Sequence, residues 1–142
     1  IEGVPGFVEG LGLLDIASVL EPTKQLRVEN ATHAASGEDL NGYHMHMGVT
    51  TGPDAAQPFT FVGKTPGGAV SATGRVVGTY LHGLFAADGF RRAFLNRAGL
   101  QAISTLNYEA EVDAVLDALA SHLEKHVDLD ALLALATAPG DM

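Results

Sequence analysis

The hydrophobic period of the chain changes at Phe85, and that change limits the folds open to it. From Phe7 to Phe85 short apolar runs are broken by Gly, Pro, Asn and Asp, the pattern of strands and loops. Gln25–Thr32 alternates, with Leu26, Val28 and Ala31 set against Arg27 and Glu29, and reads as a half-buried strand. Tyr43–Thr50 and Phe59–Val62 are further strands, with a turn at Gly52-Pro53-Asp54 between them. Leu11–Val19 is a buried strand or a short helix, which its period does not separate. Ala69–Ser71 and Val76–Leu81 flank Thr73-Gly74-Arg75 and predict a hairpin with a glycine turn.

After Phe85 the spacing becomes helical. Asp88 is placed to cap a helix running to about Ala98, with Gly99 as its stop. Tyr108–His126 carries the clearest helical stripe, formed by Val112, Val115, Leu116, Leu119 and Leu123, with Glu109, Glu111, Asp113 and Glu124 elsewhere on the surface. Asp128 caps a last helix from Leu129 to about Ala136, whose leucines read as core, and the tail Thr137–Met142 reads as frayed. Strands followed by helices predict an α/β layer architecture, although alternation is poor and composition leaves α+β open.

The 142 residues suit one domain able to bury a core. Apolar residues make up 46% and charged residues 18%, which argues against disorder. A net charge of −9, with only eight Lys and Arg spread along the chain, offers no basic patch to nucleic acid or an anionic membrane. The absence of cysteine excludes disulfides and thiolate metal sites and fits a cytoplasmic protein. No apolar run approaches the roughly 20 residues that span a bilayer. The start, Ile1-Glu2-Gly3-Val4-Pro5-Gly6, has neither an initiator Met nor a signal-peptide pattern, and reads as a chain cut inside a longer gene product.

Gly78-Thr79-Tyr80-Leu81-His82-Gly83-Leu84-Phe85 reads as a buried strand that ends at a histidine and turns through glycine. Open α/β sheets place their sites beyond strand ends, and a neutral imidazole there can take a proton from a thiol and return it to a leaving group. Read from these residues alone, His82 is better explained by a strand end whose ring bonds to backbone. His44 and His46 lie two apart on a strand and so share a face, which invites a metal reading that His82 could join. No Asp or Glu stands at an obvious ligand spacing, and no native metal is expected. His122 and His126, at i and i+4, read as a solvated face. Gly63-Lys64-Thr65 resembles the end of a phosphate loop, but Pro58 stands where the pattern needs glycine.

Five segments in order resemble the cobyric acid synthase family, the glutamine-dependent amidotransferases of cobalamin synthesis. They are Gly10-Leu11-Gly12-Leu13-Leu14, Gly42-Tyr43-His44-Met45-His46-Met47-Gly48, Gly67-Gly68-Ala69-Val70-Ser71 with Gly74-Arg75-Val76, the histidine strand, and Phe90-Arg91-Arg92-Ala93-Phe94-Leu95. The resemblance covers nearly all of the chain before the tail. It implies the carboxy-terminal part of a class I glutamine amidotransferase domain, a flavodoxin-like open sheet with flanking helices, lacking the upstream nucleophile half and the ATP-dependent synthetase domain.

On this resemblance His82 is the general base of glutamine hydrolysis, with Tyr80, Gly83 and His46 near it, and a cysteine outside the sequence attacks the amide. No cofactor is implied for this portion; ATP and Mg would serve the synthetase domain, and glutamine and a corrin would be the substrates of the full enzyme. Two positions depart from the family pattern. His44 stands where the motif usually has Glu, and Leu84 stands where many class I glutaminases place the Glu that orients the base. The fragment alone is expected to be inactive and to self-associate through uncovered apolar faces. Rival readings are a non-catalytic interaction module on the same scaffold, a histidine metal-binding protein, and a relative of the enzymes that amidate the corrin a and c positions.

Overall fold

The computed structural model describes residues 4–100 and 105–136. The chain divides into two units, Ile1–Thr105 and Leu106–Met142. The first is built on a long antiparallel hairpin, β1 (Ala17–His33) paired with β2 (Asp39–Thr51). β3 (Thr60–Val62) pairs with the end of β1, β4 (Thr65–Gly67) with β3, and β7 (Leu81–His82) with β2. The open sheet has the order β4-β3-β1-β2-β7, and all its pairings are antiparallel. β5 (Ala69–Val70) and β6 (Val77–Gly78) form a separate two-stranded sheet. One helix, α1 (Asp88–Arg97), follows.

Most strand expectations stand, and the exceptions have physical reasons. Leu11–Val19 is neither buried strand nor helix: the chain is irregular to Ile16 and enters β1 at Ala17. The Gly52-Pro53-Asp54 turn is a 3-10 turn, Pro53–Ala56, fixed by buried Asp54, whose carboxylate accepts from the Asp15 N–H at 2.8 Å. The expected strand Val76–Leu81 is split at Thr79-Tyr80, so that β6 pairs with β5 while β7 crosses to β2. Gly63-Lys64 is the two-residue turn between β3 and β4, with Gly63 at φ 59°, and opens no helix. Asp88 is the first residue of α1 rather than its cap, and pairs with Arg91.

The half-buried reading of β1 inverts in polarity. Because side chains alternate, Gln25, Arg27, Glu29, Ala31 and His33 share one face, and Leu26 and Val28 share the other. Leu26 is 65% exposed and Val28 86%, whereas Glu29 is buried. On β2, Leu40, His44 and His46 join the Glu29 face, and Tyr43 and Met45 join the Leu26 face. The core occupies one end of the Glu29 face, where Ala31, Leu40, Phe59, Leu81 and Phe90 cluster with Phe94 of α1 packed against them. α1 thus lies on that face, and the Leu26, Val28 and Met45 face stays exposed.

One irregularity marks the hairpin. Between the pairs Val19↔Val49 and Lys24↔Met47, β1 advances five residues while β2 advances two. Gly48 faces this bulge with φ 117°, and a Cβ there would come within 2.0 Å of the Val19 carbonyl oxygen.

The second unit holds α2 (Tyr108–His126) and α3 (Leu129–Ala134). The Asn107 side chain caps α2 at the Ala110 N–H (3.2 Å), and Asp128 caps α3 at the Ala131 N–H (3.0 Å). The stripe Val112, Val115, Leu116, Leu119 and Leu123 is exposed, as are Leu129, Leu132, Leu133 and Leu135, so the leucines read as core are not core. The expected frayed tail, 137–142, lies outside the described residues. Among the described residues no helix is long and apolar enough to cross a membrane.

Candidate functional site

β7 is only two residues long, and its position rests on one of them. Leu81 is buried in the core cluster and pairs with His44, so its neighbour His82 must point to the opposite face. There it stands exposed, across from Tyr43, rather than inside a buried strand. The Tyr43 and His82 rings stack, with centroids 4.8 Å apart and planes 6° from parallel. Gly83 follows at φ 85°, a conformation that suits glycine, and turns the chain into a short 3-10 turn, Leu84–Ala86. β2 and β7 come very close at Gly42, where a Cβ would lie 2.1 Å from the His82 carbonyl oxygen.

Across the sheet from His82 lies a cavity of about 640 Å³, lined by the polar groups of Gln25, Arg27, Glu29, His44 and His46, by Tyr80, and by apolar residues such as Ile16, Val62 and Leu81. Glu29 pairs with Arg27, and its second oxygen lies 3.8 Å from Nδ1 of His44. Arg27 also donates from Nη1 to Gln25 at 2.8 Å. Burial holds the His44 imidazole below its ordinary 6.5; Glu29 opposes this, and Arg27 reinforces it. His46 stacks on Tyr80 at 3.6 Å between centroids, and its Nε2 is buried with no hydrogen-bond partner among the described residues. The Tyr80 hydroxyl is held by Thr50 (2.6 Å) and Ser18 (3.2 Å).

The sequence-predicted residues therefore divide. Gly83 adjoins His82 and fixes the chain leaving it, whereas Tyr80 and His46 belong to the cavity on the other side. His44, His46 and His82 do not converge as a three-histidine metal site would require, since His82 faces away from the other two. Among the described residues no group of three or more His, Cys, Asp or Glu gathers to hold a metal. The His122 and His126 rings stand 4.4 Å apart on α2. Among the described residues His82 forms no ion pair with a carboxylate, and Leu84, in the expected orienting position, is apolar.

Three residues escaped the sequence reading. The sequence pattern shows Tyr43 only as part of a strand and sets Arg27 and Glu29 opposite the apolar residues of β1. The alternation that hid them could have found them: polar residues at 25, 27 and 29 and histidines at 44 and 46 have the same period, so pairing the two strands puts them on one face.

Over 136 residues, 96% of its length, this chain is 58% identical to a cobyric acid synthase of Cereibacter sphaeroides. It is 53% identical to one of Rhodobacter capsulatus and 48% identical to one of Bradyrhizobium diazoefficiens over the same share. The chain spans about 28% of the length of each of these relatives. No solved structure matches it significantly. The glutamine amidotransferase domain of the CobB/CobQ-like type, a class I flavodoxin-like fold, matches residues 1–90, which hold the β1–β2 hairpin, the cavity and the histidine strand. With the sheet and the histidine strand both inside that match, the chain belongs to the CobB/CobQ-like glutamine amidotransferase domain family.

Proposed function

We propose that this chain supplies the general-base strand of a glutamine-dependent cobyric acid synthase, a longer protein of the length of its relatives. The observation that carries the reading is His82 itself, presented in the open on an edge strand, anchored by Leu81 and released by Gly83. An imidazole so placed is accessible to a thiol approaching from outside the sheet.

In this reading a cysteine from the remainder of the protein is the nucleophile. The His82 imidazole takes the thiol proton as sulfur attacks the glutamine amide carbon. It then gives that proton to the departing ammonia, leaving a thioester that water hydrolyses to glutamate. The ammonia amidates corrin carboxylates in an ATP- and magnesium-dependent portion outside this sequence. The described residues form no phosphate loop, and nothing in the reading places nucleotide on them.

Replacing His82 by Ala in the parent-length enzyme should lower glutamine-dependent amidation by about 100-fold or more, the scale of general-base loss, and spare amidation driven by free ammonia. Equal loss with both nitrogen sources would assign His82 a folding role. The 142-residue chain alone has no thiol and is expected to release no ammonia from glutamine.

A further inference from the structure

A general base must be held in one orientation, and His82 lacks the usual means. It lies on a two-residue strand at the sheet edge with an exposed side chain, and no carboxylate pairs with it among the described residues. An exposed side chain left to itself samples several rotamers, and fixing one costs conformational entropy. What contacts the imidazole is the flat face of Tyr43, its direct cross-strand partner, at 4.8 Å and 6°. Direct cross-strand aromatic pairs stabilise each other, and an offset parallel arrangement is one their π-systems favour.

We propose that Tyr43 is the positioning residue for His82: its ring takes the place of an orienting carboxylate and restricts the imidazole to the plane in which it faces an incoming thiol. The inference rests on the role proposed for His82 and adds to it. Tyr43 touches no reacting atom; it acts through the ring it stacks on. The device also explains how Leu84 is tolerated two residues after the base, because orientation comes from across the sheet rather than along the strand. The phenolic oxygen plays no part in the stack, so phenylalanine should serve as well as tyrosine, whereas leucine fills space without a flat face.

Two measurements test this. In the 142-residue chain, NMR should show the carbon-bound ring protons of His82 shifted upfield by the Tyr43 ring. The shift should persist in Tyr43→Phe and vanish in Tyr43→Leu. In the parent-length enzyme Tyr43→Leu should lower glutamine-dependent kcat by about tenfold or more with little change in the KM for glutamine and none in ammonia-dependent turnover, since small misplacements of a reacting group are costly. Tyr43→Phe should restore kcat to within about twofold. Unshifted His82 protons in the unsubstituted chain, or a fully active Tyr43→Leu enzyme, would overturn the proposal. Parallel loss of both activities and of thermal stability would reduce Tyr43 to a structural role. If the ring shifts behave as expected while His82→Ala leaves glutamine use intact, the stacking stands and the general-base assignment fails.

Discussion

Gly42→Ala is the smallest change that should move His82 while leaving its side chain unaltered. An added Cβ would lie 2.1 Å from the His82 carbonyl oxygen and 3.1 Å from a Leu81 methyl, against 3.4–4 Å for ordinary contact. The nearest atom is backbone, so no side chain can rotate away, and β7 must withdraw by about 1 Å or more to relieve the overlap. Only two residue pairs, Tyr43↔His82 and His44↔Leu81, tie β7 to β2 in the ladder, and both lie directly beside the site of the clash. The strand should therefore loosen rather than drag β2 with it. A displacement of about 1 Å in a catalytic group can cost roughly 100-fold in rate. The parent-length Gly42→Ala enzyme should accordingly lose about that factor with glutamine and keep its ammonia-dependent rate. In the 142-residue chain the same change should speed amide hydrogen exchange at Met45, whose N–H donates to the Tyr80 carbonyl at 3.2 Å just before β7. Gly10→Ala, at a site with nothing within 4 Å, is the control. Unchanged glutamine turnover together with unchanged exchange would refute the reasoning, because it would show that β7 absorbs a backbone overlap without moving.

Three further outcomes follow from the packing and charge. Phe90→Ala should destabilise the first unit by about 3–5 kcal/mol in urea denaturation, since Phe90 is fully buried against His33, Phe59, Phe85 and Phe94; a loss under about 1 kcal/mol would mean the ring lies outside a cooperative core. Burial, with Arg97 adding to it, holds the His33 imidazole below 6.5, so the unfolded chain takes up its proton first as pH falls. Stability should therefore be full above about 6.5 and decline below it, more steeply than in His33→Gln, and an equal slope in both would remove His33 as the source. We also propose that the 142-residue chain self-associates through the exposed Leu26, Val28 and Met45 face; sedimentation should show a concentration-dependent mass that Val28→Glu reduces, and a monomer throughout would show that this face tolerates water.

The parts of the fold that were legible in the sequence are those set by local chemistry. The extent of α2, the Asp128 cap of α3, the glycine stop at Gly99 and the β5–β6 hairpin all follow from residues a few positions apart. What was hidden depends on partners distant in sequence. The inward face of β1 reads as polar because its neighbours His44 and His46 are polar too, and a single-strand pattern assigns the apolar Leu26 and Val28 to the core. The break at Thr79-Tyr80 was invisible because β6 and β7 are each two residues long and take their identity from β5 and β2. At the candidate site the histidine and its glycine were legible in the motif. The stacked tyrosine was not, since nothing local says which residue of β2 will stand across from His82.

The bulge at Leu20–Thr23 has a consequence for how the hairpin finds its alignment. A slide of one residue would turn one strand's buried set away from the core face, so alignment matters to both Ala31 and Leu40. Here a slide would bring Met47 or Val49 to the place where only Gly48 fits under the Val19 carbonyl. The misaligned hairpin would meet a collision at the bulge itself. The hairpin therefore carries its own proofreading, and the alignment that sets Tyr43 across from His82 is selected by a residue with no side chain at all.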